Sequence, residues 1–323
     1  MSMADNTAGN QAAGNTAGDA AEGTGSAAGA AAAPGEHAGR IGLWERFDRF
    51  GAEPDVAGAA AEAEALGYAT LWIGGAFPGH LFENAAKVLA ATSRLTFASG
   101  ILNIRMFPIE DTLAGLATLE KTDPDRFILG LGVSHEEFMR QEGEEYVPPL
   151  AAMRAYLDAL DAAGIGEDRR VLAALGPKML RLAAERSAGA HPYFTTPAHT
   201  AEARALLGDD PYLAPEQKVV LETDPATARG IAREAMGLYL GLANYRNSLK
   251  RLGFTDEDLA DGGSDRLVDA IVAWGDEETV AARVHEHLAA GADQVAVHIL
   301  PTAAGATGLP REEWRRLAPA LLG

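Results

Sequence analysis

The chain contains no cysteine, which excludes disulfides, thiolate metal sites and cysteine nucleophiles. It has no apolar run near the roughly 20 residues that a membrane-spanning helix needs. It also lacks the basic, Leu-rich start of a secretory signal, and cytoplasmic residence is expected. Positive charge is scarce. There are 27 Lys and Arg against 46 Asp and Glu, a formal charge of -19. Such a surface repels nucleic acid and anionic membranes and serves solubility first. Three motifs are missing as well. No Gly-x-Gly-x-x-Gly opens a helix after the first strand, no Gly-x-Ser-x-Gly makes an esterase elbow, and no His-x-x-x-His makes a helical metal site. The expected partner is therefore a small-molecule substrate, with no metal, nucleic acid or membrane.

Residues 1–39 differ from the rest. They are mostly Ala, Gly, Asn, Thr and Asp, with no large aliphatic side chain after Met3. A segment of this kind cannot bury enough apolar area to offset its ordering entropy, and a disordered tail is expected. Residues 40–323 read as one catalytic domain in which strand and helix alternate. Apolar strands are expected at 41–44, 69–73, 95–101, 127–133, 171–175, 190–194, 218–221 and 294–300. Helices are expected from about 53 to 66 and at 82–92, 109–121, 149–162, 177–186, 197–207 and 225–242, with another before Gly291. Three of the helices end at Gly67, Gly189 and Gly291, each followed by a strand, as left-handed helix closure by glycine allows. The count is that of a (β/α)8 TIM barrel, with 242–275 as a helical insertion before the last βα unit. A doubly wound open sheet is the alternative.

Parallel α/β folds place their chemistry at the C-terminal ends of their strands, and those ends are informative here. The run 126–135 ends in Gly132-Val133-Ser134-His135, bare backbone followed by polar groups. The second strand ends in Gly74-Gly75, which would let a flat ring approach the backbone, and His80 follows as a candidate proton donor. The third ends in Ser99-Gly100-Ile101, where Gly100 marks a bulge or an unusual peptide bond, with Asn103 and Arg105 in the loop beyond. Two later junctions, Ala174-Leu175-Gly176-Pro177-Lys178 and Thr195-Thr196-Pro197, carry Pro at the first helical position after Gly or Thr. Plain capping explains each alone. Side by side in a barrel they would present two helix N-termini to one phosphate, with Lys178 adding charge. His298 could face either the barrel interior or the helices, while His285 and His287 are expected in solvent.

Taken together, segments 126–135, 170–177, 188–193, 213–222 and 247–263 resemble the luciferase-like superfamily of flavin and deazaflavin enzymes. Within it the likeness is to the probable coenzyme F420-dependent oxidoreductases of actinobacterial type. The resemblance implies hydride transfer between a deazaflavin and a small organic substrate. It implies a non-prolyl cis peptide at Gly100–Ile101 or Ser99–Gly100, cofactor contact at Ser134-His135, and phosphate contact at 174–178 and Thr195-Thr196. Relatives of this kind often dimerise, which makes a homodimer possible. Where several relatives carry an Asp-His pair or a Glu as the acid, this chain has Gly74-Gly75 and His135, so the proton donor stays open between His135 and His80. Two alternatives stand beside this reading: an FMN-dependent monooxygenase using reduced flavin and oxygen, and a barrel that binds without catalysis.

Overall fold

The structure is a computed structural model that describes residues 39–74, 80–134, 147–302 and 308–323. The proposed tail, Gly75 and His135 lie outside the described residues. The elements run β1 (Ile41–Arg46), α1 (Phe47–Gly51), α2 (Val56–Leu66), β2 (Thr70–Gly74), α3 (Leu81–Ala91), β3 (Thr96–Ser99), β4 (Leu102–Asn103), α4 (Ile109–Leu119), β5 (Phe127–Gly132) and α5 (Pro149–Ala162). They continue with β6 (Arg170–Leu172), α6 (Pro177–Arg186), β7 (Gly189–Ala190), α7 (Pro197–Leu207), β8 (Tyr212–Leu213), β9 (Glu216–Val220) and α8 (Pro225–Leu240). The last are α9 (Ala243–Arg251), α10 (Asp265–Ile271), β10 (Val272–Trp274), α11 (Glu277–Ala289), β11 (Val295–Ile299) and α12 (Arg311–Leu322).

All strand pairs are parallel, in the order β10-β9-β11-β1-β2-β3-β5-β6-β7-β8, with β4 paired to β5. Two positions in this ring are split strands. β3 and β4 are interrupted at Gly100-Ile101 and pair with successive halves of β5. β8 and β9 are interrupted at Ala214-Pro215; β8 pairs with β7, and β9 with β11. Both edges of the run 212–220 are thus taken, and the sheet returns on itself. Counting each split strand once gives nine positions: the eight expected, the last of them held by β11, and β10, which pairs with β9.

The interior is filled from several strands at once. Trp44, Trp72, Ala98, Ile128, Val171, Tyr212 and Ala296 form one buried cluster. Trp72 stacks on His191 at 4.1 Å and donates its indole N–H to Gln294 at 2.8 Å, which satisfies its polar edge. A larger apolar layer lies between the strands and the surrounding helices. The insertion has a core of its own, in which α8, α9 and α10 pack Met236, Leu240, Leu249 and Leu267 with Phe194, Val220 and Leu300 from the strand ends.

Most expected helices appear within two residues of their bounds, and α5, α6 and α7 have the bounds read from their Pro-marked starts. Three readings change. A strand absent from the sequence reading, β10, closes the insertion and pairs with Lys218–Val220 of β9. Gly67 and Gly291 do close helices, both at φ 100°. Gly189 does not: α6 ends at Arg186, and Gly189 opens β7 at φ 155°, where a Cβ would sit 1.8 Å from the Tyr212 carbonyl oxygen. Finally, His287 is fully buried, with Nδ1 2.8 Å from the Thr200 hydroxyl and Nε2 2.8 Å from the Gln217 side-chain oxygen, linking α11, α7 and β9.

One glycine tests how tightly the sheet is drawn at the third strand. At Gly130 a Cβ would meet the Ser99 carbonyl oxygen at 1.9 Å, and backbone cannot swing away. The Gly130→Ala variant is expected to lose about 1–3 kcal/mol of stability, the usual cost of overpacking. Thermal unfolding checks this; an unchanged melting temperature contradicts it.

Candidate active site

At the C-terminal rim the third strand position breaks at a cis peptide between Gly100 and Ile101. Four small residues make room for it. A Cβ on Gly100 would lie 2.8 Å from Trp44 Nε1 and 3.2 Å from His191 Nε2. The Trp44 indole instead passes close and donates to the Gly100 carbonyl at 3.1 Å. A Cβ on Gly74 would fall 1.8 Å from the same indole. A flat ring that Gly74 admits is therefore that of Trp44. Gly132 makes way for Ile101, whose Cδ1 would be 2.5 Å from a Cβ there. Ser99 is fully buried, and its hydroxyl both donates to the Gly130 carbonyl and accepts from the Gly130 N–H, each at 2.8 Å. Its side chain fastens β3 to β5.

Beyond Ile101 opens a cavity of about 400 Å³, within the range of small-molecule sites. Ile101, Ser134, Ala174, Leu175 and Gly176, all singled out from the sequence, line it. The N-termini of α6 and α7 lie side by side next to it: His199, in the first turn of α7, has Nε2 2.9 Å from the Leu175 carbonyl just before α6. Gly176 caps α6 with no side-chain acceptor, which leaves its first N–H groups without a capping side chain. Thr196 caps α7, accepting from the His199 N–H at 3.3 Å. The Thr195 hydroxyl and His199 Nδ1 are buried with no hydrogen-bond partner among the described residues.

Other expected residues stand apart from the cavity. Pro177 and Lys178 are exposed on α6. Asn103 turns its side chain to the Arg105 N–H at 3.1 Å and holds the loop's own shape. His80 is exposed at the start of α3, paired with Glu83 at 3.4 Å. Sequence reasoning missed the opposite wall, made by Tyr193 after β7 and by Asn244, Tyr245 and Asn247 of α9. The polar and aromatic run 244–247, set in an insertion without strand character, was the available signal. It also missed Arg251, which donates to the Leu175 carbonyl at 3.1 Å and places its guanidinium 4.0 Å from where a Gly176 Cβ would be.

Next to this wall lies a buried charged group. The Glu216 carboxylate accepts from Lys218 Nζ at 2.6 Å, His298 Nδ1 at 2.8 Å and the Phe194 N–H at 3.2 Å. Burial opposes the charge on Glu216, but Lys218 and His298 hold its carboxyl down at about 2. Burial pushes Lys218 down as well, against the pull of Glu216. His298 is lowered by burial to about 4, so it is neutral near pH 7, and it faces the barrel interior, its ring 4.3 Å from that of Trp44. No helix among the described residues is long and apolar enough to cross a membrane.

Comparison with known proteins fits this geometry. Residues 51–171 match the family model described as luciferase-like monooxygenase. No curated protein matches the chain. Among solved structures, an F420-dependent secondary alcohol dehydrogenase in complex with an F420-acetone adduct superposes with a TM-score of 0.66 at 13% identity, over 88% of this chain and 100% of that one. The coenzyme F420-dependent tetrahydromethanopterin reductase of Methanopyrus kandleri does so at 0.61 and 18% identity, over 87% and 97%. The oxygenating constituent of 3,6-diketocamphane monooxygenase from Pseudomonas putida, in complex with FMN, gives 0.62 at 14% identity, over 87% and 96%. The family match covers residues 51–171, a little over a third of the chain, and the solved structures share its barrel fold over most of its length.

Buried neutral histidines give the fold a pH dependence with a definite sign. Burial lowers His191 and His298 to about 4 and His287 to about 3, from 6.5. Below 6.5 the unfolded chain takes up protons that the folded one refuses, so their stabilisation is complete above pH 6.5 and is lost as pH falls towards 4. Glu216 adds to the loss below 4.5. Glu45 acts oppositely: raised by burial to about 7, its contribution is present below 4.5 and lost as pH rises through 7. Three histidines against one glutamate leave a net loss on the order of several kcal/mol between pH 6.5 and 4. Melting temperature measured across that window should fall steeply; a flat profile would count against neutral buried histidines.

Proposed function

We propose that the protein is an oxidoreductase that uses coenzyme F420 to transfer hydride to or from a small organic substrate. The observation that carries this reading is the rim cavity: Ile101 of the cis peptide on one side, the open N-terminus of α6 on another, and Arg251 beside that N-terminus. A helix N-terminus with a guanidinium beside it suits a phosphate group. The apolar face of Ile101, with Val133 and Ala174, suits a flat ring.

Bound there, the deazaflavin would supply the hydride chemistry. The chain's own part is to bind, orient and exclude water. Gly176 and Arg251 would hold the phosphate, and Ser134 and the backbone of 173–175 would border the ring. The tail of F420 carries several carboxylates, and α9 offers Arg246, Lys250 and Arg251 along one short helix of an otherwise acidic chain. Arg246 and Lys250 are partly neutralised by Asp256, whereas Arg251 donates to the carbonyls of Asn247 and Leu175. This cationic run favours the deazaflavin over FMN, which has a phosphate and no further acidic tail. The expected setting is the cytoplasm, with a small-molecule substrate and a homodimer as the assembly to look for.

Fluorescence titration with F420 and with FMN tests the assignment. Tighter binding of F420 is expected, and tight FMN binding with negligible F420 binding would overturn it in favour of a flavin monooxygenase. Arg251→Ala should weaken F420 binding roughly tenfold or more, the usual worth of a charged hydrogen bond. Lys178→Ala should have a smaller effect.

A further inference from the structure

The described residues that line the cavity include no Asp, Glu, Lys, Arg or His. The polar groups they offer besides backbone are Ser134, Asn244, Asn247, Tyr193 and Tyr245. Among them Tyr193 is held in an unusual way. The next residue, Phe194, is buried and has φ 58°, a left-handed conformation that is uncommon outside glycine. Its N–H is tied to the buried Glu216 carboxylate at 3.2 Å. Lys218, the partner of that carboxylate, puts Nζ 3.7 Å from the centre of the Tyr193 ring. Trp44 packs against the same ring at 5.0 Å. Two buried charges, a strained residue and an indole therefore fix one half-buried phenol at the cavity wall. Backbone strain of this kind persists where the surroundings over-determine it, and it clusters at working sites.

The Tyr193 hydroxyl lies 2.8 Å from that of Tyr239, which is half-buried on α8. With Tyr239 as donor in this pair, the Tyr193 proton is free to point into the cavity. Burial raises both phenols, so both are neutral and carry that proton near pH 7. We propose that Tyr193, re-protonated through Tyr239, is the group that hydrogen-bonds and protonates the oxygen of an uncharged carbonyl substrate, or receives the proton of the corresponding alcohol. This rests on the oxidoreductase reading above. In the reducing direction the substrate carbon gains a hydride, its two electrons supplied by the reduced deazaflavin. The π pair of the C=O bond moves to oxygen, and that oxygen forms a new O–H bond as the Tyr193 O–H breaks. Tyr193 then takes the Tyr239 proton, and Tyr239 takes one from water. The reverse order serves alcohol oxidation.

A bound ketone reports this contact without turnover. Cyclohexanone labelled with 13C at the carbonyl is titrated into the full chain, with and without F420, and its carbonyl resonance is followed. A downfield displacement on binding to the wild type is expected, because a donated hydrogen bond polarises the carbonyl. Tyr193→Phe should abolish the displacement while F420 affinity stays within about twofold of wild type, and Tyr239→Phe should retain it. The same displacement in Tyr193→Phe, or no bound ketone signal with the wild type, would overturn the proposal. Failure of F420 to bind while the displacement persists in the apo protein would instead overturn the cofactor reading and leave the role of Tyr193 standing.

Discussion

The rim of this barrel depends on one buried carboxylate. Glu216 joins three strand ends: its own β9 through Lys218, β11 through His298 and the segment after β7 through the Phe194 N–H. A charge with no exposure is costly unless fully paired, and here three donors share it. The pairing imposes a geometry. Lys218 must lie under Tyr193, His298 must turn Nδ1 to the carboxylate, and Phe194 must accept a left-handed backbone. Removing any one donor would leave a buried charge short of a partner. The mouth is therefore a rigid wall on this side, whatever the ligand.

The opposite side is built from what is missing. Gly74, Gly100, Gly130 and Gly132 each lack a Cβ where an indole, a carbonyl or the Ile101 side chain must pass. Trp44 connects the two sides: its ring packs on Tyr193 and His298, and its N–H holds the Gly100 carbonyl. The cavity lies between a charge-locked wall and a glycine-cleared one, with helix N-termini at its rim.

Much of this was legible in the sequence because local chemistry wrote it there. Pro at the first turn marks the starts of α5, α6 and α7, and the clustered glycines of 126–135 and 98–101 mark the crowded third and fourth strand positions. The cis bond falls at one of the two peptides that the family resemblance implied. What could not be read was long-range. His287 looks solvated in an acidic helix, yet Gln217 and Thr200, far off in the chain, bury and satisfy it. Gly189 resembles a helix stop, but the approach of Tyr212 explains it. Gly74 reads locally as room for a flat ring, and nothing local shows that the Trp44 indole lies beside it. Glu216, Gln217 and Lys218 form a polar run at the start of a strand, and nothing local shows that all three are buried. Likewise, the return of α9 over the cavity, carrying Asn244, Tyr245 and Arg251, follows from how the insertion packs on the strand ends.

The most direct test of the account is a crystal structure of the protein soaked with oxidised F420. The ring should rest against Ile101, with the phosphate at the N-terminus of α6 within reach of the Arg251 guanidinium. A ring bound elsewhere, or a phosphate on the far side of the barrel from Gly176, would contradict it.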